Sequence, residues 1–164
     1  MSAPPVTTWF LEMTAPDQLR PARPVEGFSV RALPRPDAAL SRRMYNQVGG
    51  PWQWTDRLGW GIARWRAHLA QPGIRTWIGS LEGEEVGYAE LARIDGEVEI
   101  ASFGLLPGFA GRGLGGALLT AVTEAAWEDG AERVWLHTCS LDSPAALPAY
   151  EARGFRRYDE RTGR

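Results

Sequence analysis

The sequence contains no lysine, so all 18 of its basic residues are arginine and the only aliphatic amine is the N-terminus. A single cysteine, Cys139, excludes an internal disulfide framework and any metal site built from several cysteines. No apolar run approaches the roughly 20 residues that span a bilayer, and a formal net charge of -2 argues against a basic nucleic-acid surface. We therefore expect no metal, no nucleic-acid partner and no membrane partner.

The segment Met1-Ser2-Ala3-Pro4-Pro5 lacks the basic and apolar parts of a secretory signal, which predicts a cytoplasmic location. A length of 164 residues, of which 44% are hydrophobic and 23% charged, suits one globular domain over residues 1–164. Prolines concentrate near the start of the chain, so residues 1–24 are expected to be a proline-rich N-terminal extension. Within it, residues 7–13 are the candidate for one extra strand.

Hydrophobic periodicity predicts a regular series of helices and strands after this extension. The predicted elements are a strand at 28–33, helices at 37–47 and 55–70, strands at 75–81, 85–93 and 97–106, a helix at 113–128, a strand at 133–139, a helix at 143–153 and a strand at 155–158. Tight turns join the three middle strands. The order β-α-α-β-β-β-α-β-α-β predicts an α/β fold with a mixed, mostly antiparallel central sheet flanked by helices.

Four glycines lie in the turn Gly111-Arg112-Gly113-Leu114-Gly115-Gly116, between a predicted strand and a predicted helix. Glycines remove side chains, so the N–H groups at the positive end of the helix dipole can contact a pyrophosphate. The spacing Gly111-x-Gly113-x-x-Gly116 also matches a dinucleotide fingerprint, but too few strands follow and antiparallel hairpins precede it. A third interpretation is that these glycines only let the helix pack closely on the sheet.

Three stretches of the sequence together form a pattern, namely the strand end Phe103-Gly104-Leu105-Leu106-Pro107, the loop Ala110-Gly111-Arg112-Gly113-Leu114-Gly115, and the helix Ala145-Ala146-Leu147-Pro148-Ala149-Tyr150 followed by Gly154-Phe155. This pattern resembles that of the GNAT superfamily of acetyl-CoA-dependent N-acyltransferases. The resemblance covers residues 75–158 well and the N-terminal third only in its order of elements. It implies a GNAT-like sheet and acetyl-CoA as the cosubstrate.

The resemblance also implies which residues bind that cosubstrate. In the family, the strand before the loop is bulged and splays from the following strand, and the thioester lies in the gap. The backbone of Leu105 and Leu106 would bind the pantetheine amides, and one of these N–H groups would polarise the thioester carbonyl. The other residues implied for cofactor binding are Gly111, Arg112, Gly113, Leu114, Gly115, Gly116, Ser143 and Ala146.

The chain departs from the family pattern at three points. Ala110 replaces the usual Gln or Arg, so the loop would hold phosphate mostly with backbone amides, with Arg112 as a helper. Ser143 stands where many members have Asn. The sequence after Phe155 leaves no room for a full final hairpin, and residues 7–13 are the candidate for a substitute strand.

Two residues are candidates for proton transfer. Tyr150 falls at the family's proton-donor position, and its phenol, with a reference pKa of about 10, can protonate the leaving thiolate. Glu99 would accept the proton of the attacking ammonium if burial raises its pKa, and a relay through waters and backbone carbonyls is the alternative. Covalent catalysis by Cys139 with His137 is a further alternative, and His68 is expected to be a surface or packing residue.

The resemblance places the acceptor pocket at the loop between the first two helices. There Trp52 and Trp54 would form an aromatic wall and Asp56 would hold a cation, which suits an ammonium-bearing substrate. Packing under the loop is the alternative for both tryptophans. We expect transfer of an acetyl group to the amine of a small molecule, amino acid or peptide by direct attack. A catalytically silent CoA-binding sensor or interaction module is the alternative, and a homodimer is compatible with the sequence.

Overall fold

The computed structural model describes residues 4–163, so Met1, Ser2, Ala3 and Arg164 lie outside the described residues. The helices and strands are β1 (Val6–Met13), β2 (Phe28–Ala32), α1 (Ala38–Gly49), α2 (Ile62–Leu69), β3 (Ile74–Leu81), β4 (Glu84–Ile94), β5 (Glu97–Leu105), α3 (Leu114–Glu128), β6 (Arg133–Cys139), α4 (Ala146–Ala152) and β7 (Arg156–Gly163). Two short 3-10 helices lie at Pro16–Gln18 and Gly50–Trp52. From β2 onward, the order of elements is the predicted one.

One seven-stranded sheet, in the order β2-β3-β4-β5-β6-β1-β7, runs through the molecule. Among the strands of residues 4–163, only β5 and β6 pair in parallel, and every other neighbouring pair is antiparallel. The helix α3 connects these two strands, as a parallel pair requires a crossover connection. The prediction of a mixed, mostly antiparallel sheet flanked by helices is therefore confirmed.

The first strand of the chain, β1, lies between β6 and β7. Phe10 of β1 is opposite His137 on one side and Asp159 on the other. Leu11 and Met13 point into the core and have no exposed surface. The extra strand expected at residues 7–13 is therefore present, and it provides the edge along which the last strand pairs.

The second helix differs most from its prediction, because it begins at Ile62 instead of residue 55. Residues 55–60 form two tight turns, in which Leu58 N donates to Thr55 O at 3.1 Å and Trp60 N donates to Arg57 O at 3.0 Å. A helix over 55–70 would place Leu58 on the same buried face as Trp65, but Leu58 is 59% exposed. The apolar spacing that continued before Ile62 was therefore misleading.

The last helix and the last strand also differ in length from their predictions. The helix α4 begins at Ala146 because Ser143 closes a turn before it, with Ser143 Oγ accepting from Ala145 N at 3.2 Å. The strand β7 extends to Gly163 because β1 offers pairing partners along its whole length. The sequence of β7 alone could not predict that β1 would pair with it.

Two helical layers cover opposite faces of the sheet. On one face, α1 and α2 bury Tyr45 and Trp65 against Ile78 of β3 and Tyr88 of β4. On the other face, the apolar stripe of α3 packs against residues of β4, β5, β6 and β1. Within residues 4–163, no helix is long and apolar enough to cross a membrane.

Candidate functional site

The strands β5 and β6 separate part-way along their length. Their parallel pairing ends at Glu99 opposite Trp135, whereas β5 continues to Leu105 beside β4 and β6 continues to Cys139 beside β1. A β-bulge interrupts the β4–β5 register just after this point, where Glu90 is opposite Ser102 but Leu91 is opposite Ile100. A bulge re-aims the strand that carries it, so a gap opens between β5 and β6 in the middle of the sheet.

The β5 side of this gap presents backbone groups. Leu106 N donates to Val86 O at 2.8 Å, and Leu105 is directly opposite Gly87. In an antiparallel ladder the direction of the backbone groups alternates from residue to residue. The N–H and C=O of Phe103 and Leu105 therefore face the gap, whereas the N–H of Leu106 is already bonded within the sheet. The role expected for both leucines fits Leu105 and must be revised for Leu106.

The start of α3 leaves several N–H groups without partners. Gly111 and Gly113 adopt positive φ values of 82° and 77°, which only glycine reaches without strain. The first helical hydrogen bond runs from Ala117 N to Gly113 O at 3.2 Å. In the described part of the chain, none of the N–H groups from Gly111 to Gly116 has a hydrogen-bond acceptor. These groups and the helix dipole together favour an anion at this position.

An open cavity of about 350 Å³ lies beside the start of α3, lined also by residues 22–25 and the end of α4. Three arginines line it, Arg23, Arg112 and Arg153. Within residues 4–163 none of the three forms an ion pair with a carboxylate. Unpaired guanidinium groups around exposed N–H groups can hold a phosphate or pyrophosphate.

Only Arg112 of these arginines was expected from the sequence. Arg153 follows α4 directly and lies three residues after Tyr150. The helix predicted at 143–153 therefore already included this arginine close to Tyr150. Nothing in the sequence around Arg23 indicates a phosphate-binding role. Arg23 reaches the cavity only through the path that its segment takes in the fold. Ala22 N donates to Thr120 Oγ1 at 3.0 Å, which fixes that segment on α3. The expected Ser143 lies in the turn before α4 and Ala146 is the first residue of α4, and neither lines the cavity.

Tyr150 of α4 is buried on the α3 side of the gap. Its ring packs against Phe103 of β5 at 5.9 Å and against Phe155 at 6.5 Å between centroids. Burial raises the pKa of Tyr150 above its ordinary value, and the negative charge of Asp142 raises it further. The phenol therefore stays protonated and can donate a hydrogen bond to an anion in the gap.

Glu99 lies where β5 and β6 begin to separate, and its side chain is 25% exposed. Burial raises its pKa, and so does the nearby charge of Glu90, whereas His137 and Arg57 oppose the shift. His137 Nε2 is 3.8 Å from Glu99 Oε2. His137 is thus placed toward Glu99, and no hydrogen bond connects it with Cys139 among the described residues.

A buried carboxylate that the sequence did not single out lies beneath the loop between α1 and α2. Glu90 of β4 has no exposed surface and accepts two hydrogen bonds from Arg57 at 2.8 Å and one from His68 at 3.0 Å. Burial acts to raise the pKa of Glu90, but the hydrogen bonds from His68 and Arg57 outweigh it, so this pKa is lowered. His68, expected at the surface or in packing, instead belongs to a buried polar cluster.

Of the three residues expected at the acceptor pocket, only Trp54 reaches the gap. Its indole N–H donates to Asp142 Oδ1 at 3.3 Å, and its ring lies 5.3 Å from that of Tyr45. Trp52 is 37% exposed and Asp56 is also exposed. Within residues 4–163, neither forms a hydrogen bond or ring contact with a residue of the gap.

Residues 40–155 match the Acetyltransferase (GNAT) family. The chain belongs to the GNAT family of acetyltransferases. The matching region runs from α1 to the residue before β7, so it contains the gap, the glycine turn and Tyr150. The strand β1 lies outside it, as does Arg23. These two features are therefore not part of the family match.

Two relatives are similar in sequence, and one solved structure shares the fold. An N-acetyltransferase of Mycobacterium bovis, described as uncharacterized, is 36% identical over 103 residues, which is 62% of this chain and 65% of the relative. One of Escherichia coli, described in the same way, is 28% identical over 156 residues, or 90% of both chains. A GCN5-related N-acetyltransferase from Sphaerobacter thermophilus has a TM-score of 0.77 at 19% identity and covers 98% of this chain. This chain spans only 51% of that protein, or about half of its length.

The GNAT family generally uses acetyl-CoA, and the site of this chain fits such a molecule. The three arginines and the N–H groups of the glycine turn suit its phosphates, and the N–H and C=O of Leu105 suit amides in the gap. Within residues 4–163, no group of three or more His, Cys, Asp or Glu side chains could hold a metal ion.

Proposed function

We propose that the chain is an N-acetyltransferase that moves an acetyl group from acetyl-CoA to the amine of a small molecule, amino acid or peptide by direct attack. The observation that carries this proposal is the placement of Tyr150 and Glu99 at one gap, with an arginine-lined cavity next to it. The cytoplasmic location and a homodimer stay predictions.

Binding would divide between the cavity and the gap. Arg23, Arg112 and Arg153 would hold the phosphates together with the N–H groups of the glycine turn. Leu105 would pair with the pantetheine amides through its N–H and C=O, and Phe103 offers a second set of such groups. These contacts are backbone contacts, which explains why the side chains in this strand can be apolar.

Acetyl-CoA supplies an activated thioester, and the residues of the chain manage the protons. Glu99 accepts a proton from the ammonium, because only the free amine can attack. An N–H group in the gap donates to the carbonyl oxygen as it becomes negative. As the C–N bond forms and the C–S bond breaks, Tyr150 donates its proton to the leaving sulfur, and the second proton that the amine nitrogen loses restores the phenol. Neither residue requires a covalent acyl-enzyme.

Thiol release from acetyl-CoA, measured with a panel of amines, tests the proposal. The panel contains aminoglycosides, polyamines, amino acids and short peptides, and isothermal titration with CoA is run in parallel. We expect binding of CoA, amine-dependent thiol release and no acylated protein by mass spectrometry. Binding without release for every amine would favour the silent CoA-binding module, and absence of CoA binding would contradict both functions.

A further inference from the structure

We propose that Trp54, held across the gap by Asp142, closes the far end of the acyl site and restricts the acyl group to about the size of acetyl. The inference rests on the proposed function, because it assumes that a thioester lies between β5 and β6. It gives Trp54 a role in the choice of acyl donor, in addition to any contact with the amine.

The ring of Trp54 covers β5 on the face that α1 and α2 occupy. A Cβ atom built on Gly104 would lie 2.5 Å from Val48 Cγ1 and 4.0 Å from Trp54 Cη2. Gly104 lies in the part of β5 that has separated from β6. The indole therefore lies above the separated strand, at the level of the gap.

The other edge of the same ring is attached to the opposite side of the gap. The indole N–H donates to Asp142 Oδ1 at 3.3 Å. Asp142 is itself fixed to the end of β6, because its Oδ2 accepts from Thr138 Oγ1 and from Cys139 N, the latter at 3.1 Å. Trp54 thus spans from β5 to the loop that follows β6.

The ring also has a fixed position against α1. Trp54 N donates to Gly49 O at 3.1 Å, and a Cβ atom on Gly49 would come within 2.3 Å of the indole. Tyr45 supports the ring from the same helix, with centroids 5.3 Å apart. The indole therefore cannot move toward α1 without displacing the helix end.

These positions determine how far an acyl chain can extend. The arginine-lined cavity and Tyr150 are on the α3 side of the sheet, so a molecule held there enters the gap from that side. Its acyl end points toward the opposite face, where Trp54 lies. The methyl of an acetyl group ends below the indole of Trp54. Each methylene of a longer acyl chain must displace this indole.

Affinities for CoA, acetyl-CoA, butyryl-CoA and hexanoyl-CoA, measured by titration calorimetry, test the inference. We expect the wild type to bind hexanoyl-CoA about tenfold or more weakly than acetyl-CoA. A methylene buried in the space vacated by the ring contributes roughly a factor of four. Trp54→Ala should therefore raise the affinity for hexanoyl-CoA about tenfold or more relative to that for acetyl-CoA.

Two further variants keep the test valid if Trp54→Ala does not fold. Trp54→Phe keeps a ring beside Tyr45 but loses the donor to Asp142, and Gly49→Ala suits a helix but displaces the indole. Trp54→Phe should reduce the discrimination against hexanoyl-CoA, whereas Gly49→Ala pushes the indole away from α1 toward the gap and should increase it. Trp127→Leu is the matched control, because Trp127 is also partly buried and donates its indole N–H, to Met13 Sδ, at the far end of α3.

The outcomes separate this inference from the proposed function. Binding of CoA with equal affinity for short and long acyl chains would overturn the inference and leave the proposed function intact. So would discrimination that persists in folded Trp54 variants, or that Trp127→Leu removes equally. Failure of the wild type to bind CoA itself would instead contradict the proposed function.

Discussion

Arg57 places both terminal nitrogens of its guanidinium 2.8 Å from the two carboxylate oxygens of Glu90. The pair connects the loop between α1 and α2 with the centre of the sheet. The guanidinium also lies over the rings of Trp60 and Trp65, at 5.1 Å and 5.3 Å. The irregular loop that carries Trp54 is thus fixed from below by an ion pair enclosed in aromatic rings.

Removal of one partner should therefore destabilise the whole domain. Arg57→Met leaves a buried carboxylate with His68 as its only remaining donor among residues 4–163. We expect the free energy of unfolding to fall by about 3–5 kcal/mol. Chemical denaturation monitored by circular dichroism measures this difference. Arg161→Met is the control, because the Arg161–Asp159 pair is exposed and should contribute less than about 1 kcal/mol. Equal losses in both variants would contradict this role of the buried pair.

The lowered pKa of Glu90 predicts how stability depends on pH. At a pH just below about 4.3, the ordinary pKa of glutamate, Glu90 is protonated in the unfolded chain but still ionised in the folded protein. The contribution of Glu90 is therefore complete above that value and is lost as the pH falls through its lower folded value. Denaturation of wild type and Glu90→Gln between pH 6 and pH 3 should show a stability difference that narrows with acidity. A constant difference would show that Glu90 is not ionised in the folded protein.

Neither member of this ion pair could be selected from the sequence as a partner of the other. Glu90 lies in a strand whose charged residues are expected to face solvent, and Arg57 lies in a segment whose apolar spacing predicts a helix. Their meeting depends on the path of the loop, which tight turns rather than helical periodicity determine. The positions of the glycine turn and Tyr150 could be predicted because each lies in a short continuous stretch of sequence.

The arginines around the cavity predict how coenzyme binding responds to substitution. Arg153→Ala and Arg23→Ala should each weaken CoA binding about tenfold or more, because a hydrogen bond to a charged group contributes roughly 1.5–3 kcal/mol. Binding of pantetheine, which lacks the phosphates, should not change. Titration calorimetry with CoA and pantetheine measures both.

A matched arginine outside the cavity provides the control for this experiment. Arg66 of α2 is exposed and lies on the other helical layer. Arg66→Ala should leave CoA binding at the wild-type level. A similar loss for CoA and pantetheine in the cavity variants would mean that these arginines support the fold rather than the phosphates.

The strand β1 shows a different limit of sequence-based prediction. Residues 7–13 were named from the sequence as the candidate for an extra strand. The pairing itself could not be derived, because register depends on partners more than 120 residues away, such as Thr8 with Cys139. The position of Arg23 follows from the same connection, since the chain must return from β1 across α3 to reach β2.

The phenol of Tyr150 can be removed with little change in packing. Tyr150→Phe keeps the ring that contacts Phe103 and Phe155 and deletes only the proton donor. We expect kcat to fall by a factor of about 10²–10⁴, the usual range for general acid catalysis. The Kd for acetyl-CoA should stay within about threefold, since no binding role depends on the hydroxyl. Full turnover in this variant would show that the leaving thiolate obtains its proton elsewhere.

The raised pKa of Glu99 predicts the acid limb of the rate profile. A general base works in its ionised form, so kcat/KM should rise as the pH increases through the pKa of Glu99, which burial holds above the ordinary value of about 4.3. Glu99→Gln should lower kcat/KM and remove this limb. His137→Gln should move the limb to higher pH, because the charge of His137 opposes the shift. An unchanged profile in both variants would favour a relay through waters and backbone carbonyls over Glu99.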